Sequence, residues 1–347
     1  MTAMAVLASG MVTSLGFNAP ASLAALRAGV SGVRRIPWSD YESGEPLRGA
    51  KVALPQWWEG LGKLAELAAP AVSECLRAAE PEQPHNIPIL LGVADRARPA
   101  RVAGLEENLL REIEHRLELP RHPASAVFPH SQVGCVHALA AADRILTDGK
   151  ANMCVVVGVD SFLSQKTLDA YRERRRLMTA TNSNGFFPGE AAAAVLVAAA
   201  NTRSNELRII GSAVGHEPAT IESTKPLRGA GLTQVVKAAL AGGGVLLKDV
   251  AFRLTDLTGE HYKFKEALFA SVRLNRGSRP DVLDLWHPVE YLGEVGAAIL
   301  PCLLAWAYHA GQFGYAPGRL ALCHVGSDDG QRAALVLALP DSGGFDS

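Results

Sequence analysis

The stretch Ala126–Asp160, AVFPHSQVGCVHALAAADRILTDGKANMCVVVGVD, decides how this chain folds. An apolar run, SAVF (125–128), leads into a polar turn. A helical pattern follows and stops at Gly149, and then comes MCVVVGVD (153–160), uncharged until its last residue. Apolar positions at helical spacing, flanked by continuous apolar runs, predict strand, helix and buried strand. Cys135 lies near the start of that helix, with His130 and His137 on either side. A thiol nucleophile is therefore the first chemistry to weigh.

Outward from this stretch the rhythm repeats. AMAVLAS (3–9) reads as a buried strand ended by Gly10, and PASLAALRAG (20–29) as a helix bounded by Pro20 and Gly29. Residues 34–60, with Trp38, Trp57 and Trp58 among prolines and glycines, read as a covering loop. Helices are predicted over 61–79 and 101–119, and strands over 87–94 and in GEAAAAVLVAA (189–199). The second half alternates in the same way. LRIIGSAVG, VAFRLTDL and VLDLW are strands, residues 231–241, HYKFKEALFASVRL and GAAILPCLLAWAYHAG are helices, and LALCHVGS and AALVLALP close the chain. Alternating strands and helices predict an α/β layered fold, and the shared element order suggests an internal duplication.

The bulk composition narrows the function. At 347 residues there is ample core for two domains or one large two-part fold. A net charge of -1 offers no basic excess for nucleic acid and no acidic tail for a basic partner. The RERRR run at Arg172–Arg176 reads as a solvated helix face. Five scattered cysteines form no CxxC pair, which argues against a disulfide framework or a zinc knuckle and fits reduced thiols in a cytoplasm. The apolar N-terminus lacks a positive region and reads as a first strand rather than a signal peptide. The longest apolar runs, 191–200 and 295–308, are short for a bilayer span, so a soluble protein is expected.

Four ordered segments resemble the β-ketoacyl synthases (3-oxoacyl-ACP synthases) of the thiolase-like superfamily. SGMVTSLGFNAPASLAALRAGVSGV resembles the family's opening strand, turn and first helix. His130–Asp160 resembles its nucleophile helix and following strand. NGFFPGEAAAAVLV resembles its DGFVLGEGAAVLVLE, and LALCHVGSDDGQRAALVLAL its closing hairpin. The resemblance spans nearly the whole chain, with residues 35–120 and 200–245 abbreviated or divergent. It implies a five-layered αβαβα fold of two similar halves, 1–200 and 201–347. It also implies a dimer formed with itself or with a related ketosynthase, through the strand after the nucleophile helix (153–160).

The family's catalytic positions are replaced. In the TACxSGxH match to His130–His137, the nucleophilic cysteine becomes Gln132 and His137 matches the family's histidine. Cys135 stands three residues further on, about one helical turn along, and does not take over that position. The first catalytic histidine falls on Asp256. In PVEYLGEVGAA the second falls on Gly293 and the lysine on Pro288. The gating phenylalanine falls on Asp328. Glutamine at the nucleophile position resembles chain-length-factor subunits and decarboxylating loading ketosynthases, and the latter keep their histidines.

The expected function is thus a ketosynthase-like pseudoenzyme acting as a binding, scaffold or partner subunit, with no cofactor and no metal. Other readings stay open. One is an active acyltransferase or condensing enzyme using Cys135 or an acid–base set. Another is an adaptor or chaperone for a secretion system. A third is acyl-carrier binding through Arg172–Arg176. Candidate pocket residues are His130, Cys135, Glu190, His287, Glu294 and Asp328. Asp256, Glu260, Glu294, Asp328 and Asp329 are expected to converge near Gln132, either as a functional acid cluster or as caps and ion-pair partners, with Arg332 as one partner. Cys135 and His137 also read as ordinary core residues, His137 hydrogen-bonded, and His287 as a structural residue.

Overall fold

In the computed structural model, residues 2–55, 59–80, 83–200, 206–275 and 283–340 are described. The first apolar run forms β1 (Met4–Val12), and Asn18 caps α1 (Ala19–Arg27) by accepting a hydrogen bond from the Ala21 N–H at 2.8 Å. Residues 34–60 are not simply a loop. Arg34–Ser39 (β2) and Pro46–Gly49 (β3) pair as an antiparallel hairpin whose inward residues Ile36 and Leu47 are buried. The alternation there is weak, because only one residue in two contributes to a small satellite core. Trp57 and Trp58 lie outside the described residues.

Then come α2 (Leu61–Ala79), β4 (Ile89–Gly92), α3 (Leu110–Arg116), β5 (Ala126–Phe128), α4 (Gly134–Thr147) and β6 (Met153–Ser161). The predicted 101–119 helix is shorter than expected and opens with a wide turn at Leu105–Leu109. An unpredicted helix, α5 (Gln165–Glu173), is capped by Ser164. β7 (Glu190–Ala199), β8 (Leu207–His216), α6 (Ala230–Gly242), β9 (Phe252–Thr255), α7 (His261–Leu274), β10 (Asp284–Trp286), α8 (Val289–Leu292), α9 (Ile299–Gln312), β11 (Leu320–Gly326) and β12 (Gln331–Ala338) complete the chain.

The strands run β5-β4-β6-β7-β1 on one side and β8-β12-β11-β9-β10 on the other, joined where Met4–Val6 of β1 pairs with Leu207–Ile209 of β8. Outward from that seam the two sets repeat the same pairings, two antiparallel and then two parallel. The core divides accordingly. One cluster packs α2 and α3 on the outer face of the first sheet, and another packs α6 and α7 on the second. The largest lies between, built on α1, α4 and α9. α9 is apolar all round because both its faces are covered. This is the five-layered αβαβα arrangement.

Two consequences bear on the site. Gly158 in β6 has no room for a side chain, since a Cβ there would lie 2.0 Å from the Ala297 carbonyl. Its absence lets the turn before α9 press against β6, next to the start of α4. The expectation that residues 153–160 pair across a dimer interface is also corrected. β6 is bonded to β4 on one edge and β7 on the other, so it has no free edge. The open edge on that side of the sheet belongs to β5.

Candidate functional site

Gln132 lies in the tight first turn leading into α4, just after Ser131, whose φ of 50° is a left-handed conformation for a non-glycine residue. The Gln132 side chain is buried and donates to Glu294 Oε1 at 3.2 Å. Glu294 comes from the turn before α9 and is pinned there. Its Oε1 accepts the Gly296 N–H at 2.8 Å, its own N–H donates to the Phe187 carbonyl, and its carbonyl accepts from Gly189. Burial pushes the Glu294 carboxyl up to about 7, partly offset by Lys263. The carboxylate thus serves the turn that opens α9, one of the two roles expected for it.

Gly293, matched from sequence to the family's second histidine, stands where the backbone is closed to any side chain. Gly293 has φ 67°, and a Cβ there would meet the Phe187 and Pro188 carbonyls at 2.8 and 3.0 Å. The backbone path at 293 therefore suits glycine alone. Pro288 is buried immediately before α8.

Asp256 ends the strand β9 and accepts from Lys263 Nζ at 2.8 Å and from the Gly326 N–H at 3.1 Å. Lys263 also donates to the Gly326 carbonyl at 3.2 Å. The neighbouring His324 is buried, 3.3 Å from Thr255 Oγ1, and burial together with Arg253 lowers its pKa to about 4, so it is neutral at neutral pH. These groups border a cavity of about 20 Å³, room for a single water and not for an acyl substrate.

Two of the other acids are paired with one arginine. Glu260 and Asp328 both hold Arg176, with contacts of 2.7 and 2.6 Å. Glu260 occupies the N-cap position of α7 without capping it, because its carboxylate is committed to Arg176. Arg176, read from sequence as part of a solvated face, is thus buried, while Arg174 and Arg175 remain exposed. Arg332 pairs with Glu266, which is not among the acids named from sequence. Asp329 accepts from Ser327 and Gln331.

The remaining candidates separate. Cys135 is buried and its thiol donates to the Ala297 carbonyl at 3.5 Å. Burial drives its pKa far above the usual thiol range, so a thiolate is not available at neutral pH. His130 and His137 are half-buried, their rings 4.5 Å apart and bridged by Gln331. Glu190 is buried elsewhere, paired with Lys63 and accepting from Ser161 and the Val52 N–H. His287 stands edge-on to Phe264. Lys263, Arg176 and His324 were missed from sequence. A legible signal existed for Lys263: it shares the helical spacing of Glu266, Ala267 and Ala270, the buried face of α7.

No protein-family model matches the chain and no curated protein matches it in sequence. Solved structures match over its whole length. A chain from the AntDE:AntF complex, a type II PKS acyl-carrier protein with its ketosynthase, aligns with a TM-score of 0.78 at 12% identity, covering 97% of this chain and 99% of that one. A β-ketoacyl synthase from Burkholderia phymatum aligns at 0.72 and 15% identity, covering 98% and 100%. The ishigamide ketosynthase/chain length factor aligns at 0.71 and 20% identity, covering 98% and 100%. The fold is that of the ketosynthases and chain length factors, and the chain is ketosynthase-like.

Proposed function

We propose that this chain is a ketosynthase-like partner subunit that acts by binding, without the Cys-His-His machinery. The observation that carries the reading is the Gln132–Glu294 pair: an amide with no nucleophilic atom stands at the nucleophile position and is tied to a buried carboxyl. The closed backbone at Gly293 and the Lys263-bound Asp256 support it. Chain length factors among the structural neighbours pair with a ketosynthase, and the same kind of partner is proposed here, with a second copy of this chain as the other arrangement. An acyl-carrier protein is a further partner, met at Arg174 and Arg175. A cytoplasmic location is proposed on five buried, unpaired cysteines.

Incubation with acyl and malonyl thioesters, followed by intact-protein mass spectrometry, tests the reading alongside Cys135→Ala. No adduct and no malonyl decarboxylation is the expected result. A thioester on the wild type that disappears in the variant would return the chain to the acyltransferases. A second reading draws on Glu294, whose pKa near 7 suits an acid–base group. It requires turnover that Glu294→Gln abolishes.

A further inference from the structure

Helix α7 is inverted. Its buried face carries Lys263 and Glu266, committed to Asp256 and Arg332, while Phe264, Leu268 and Val272 form a stripe facing solvent, 43%, 60% and 64% exposed. Spacing at i, i+4 and i+8 puts the three on one line. The stripe forms the rim of an apolar recess of about 390 Å³ between α6, α7 and the outer face of the second sheet, whose walls include Leu232, Val236, Leu285 and Leu322. The size and lining are those of a small-molecule site.

One cation lies in this apolar space. Arg253 projects from β9 into the recess and donates from Nη1 to Ser271 Oγ at 2.8 Å. Its Nε is buried with no hydrogen-bond partner. Among the described residues it forms no ion pair, and none of the described residues lining the recess is acidic. Burial lowers its pKa without a carboxylate to oppose it. Arg253 as a whole is half-buried, and guanidinium groups held even partly out of water are ordinarily paired. His324, the other titratable group facing the recess, is neutral and supplies no counter-charge.

From this juxtaposition we infer that the recess binds a single-chain amphiphile with an anionic head, its chain along the α7 stripe and its carboxylate on Arg253. The head-group accepts from the Arg253 guanidinium at the recess wall, and the chain covers Phe264, Leu268 and Val272. Arginine favours a carboxylate through its fork of donors. The site lies on the outer layer of the second sheet, apart from the Gln132–Glu294 pair, so the inference does not rest on the proposed partner function.

The test is displacement of the neutral fluorophore 1-aminoanthracene from the full chain by decanoate, 1-decanol and decyltrimethylammonium, all below micelle formation. Decanoate is expected to bind at least about tenfold tighter than decanol, in line with a charge-assisted hydrogen bond, and the cationic amphiphile weakest. Arg253→Met should equalise decanoate and decanol, and Arg253→Lys should restore part of the preference. Without ligand, Arg253→Met should melt no lower than wild type, because it removes a half-buried charge that no carboxylate among the described residues pairs with, whereas an arginine that only props the fold would leave a lower melting temperature. Equal binding of acid and alcohol to the wild type, or a carboxylate preference that survives Arg253→Met, overturns the inference. So does a concentration-dependent dimer that Val272→Glu dissociates and decanoate does not affect, which would give the stripe to a second copy.

Discussion

At Glu294 a single buried carboxyl gives the candidate site a pH signature. Its pKa in the fold is about 7, against about 4.5 for an ordinary glutamate. Below about pH 4.5 it is protonated whether the chain is folded or not, and contributes nothing. Between about 4.5 and 7 the unfolded chain ionises and the fold resists, so stability falls as pH rises, by on the order of 3 kcal/mol once both are past titration. Glu294→Gln should therefore flatten the decline in melting temperature between pH 5 and pH 8. Parallel curves for the two proteins would remove the assignment. Lys263 gives a second residue-scale expectation. Its ammonium neutralises buried Asp256 at 2.8 Å, so Lys263→Met should cost about 3–5 kcal/mol in urea denaturation. Adding Asp256→Asn should recover most of that loss, because the stranded charge is gone while an oxygen remains for the Gly326 N–H. A double variant as unstable as the single would show that Lys263 acts through packing alone.

Among the elements, β5 has the most to decide. It is three residues long, partly buried, and leaves one edge of the first sheet open. Open edges invite pairing with another chain, which makes β5 rather than β6 the strand proposed for a dimer. Light scattering at micromolar concentration should give a dimer, and amide exchange at 126–128 should speed up on dilution. A monomer with fast exchange at every concentration would rule this interface out. The apolar runs of β4, β6 and β7 were readable because strands covered on both faces need no polar residues. The β2–β3 hairpin was not, because its short alternation buries few side chains. In α7 the larger apolar residues Phe264, Leu268 and Val272 point outward, while Lys263 and Glu266 share the inward face with Ala267 and Ala270, so side-chain size alone does not assign its faces.

Across the whole molecule, the repeated pairing pattern outward from the β1–β8 seam encloses α4 and α9 between two sheets. That burial makes Cys135 inaccessible to solvent. The exposed Arg174 and Arg175 lie beyond α5, and reversing both charges should weaken binding of an acidic acyl-carrier protein about tenfold or more at low salt, with the difference shrinking as salt is raised. Unchanged binding, measured by calorimetry at 50 and 300 mM salt, would exclude that patch. Among the described residues no helix is long and apolar enough to cross a membrane.

The order of apolar runs and glycine stops by itself determined the layered α/β fold, since period and burial are local properties of a chain. The sequence likewise shows glutamine at 132 and glycine at 293, whose match to the family's catalytic positions remains an expectation of the resemblance. Tertiary structure alone decided which charges meet. Arg176 reaches Glu260 and Asp328 across 84 and 152 residues, Gln132 reaches Glu294 across 162, and Arg253 meets no carboxylate among the described residues. Charge pairing depends on distance in space and on the water excluded between partners, and neither is written in sequence spacing.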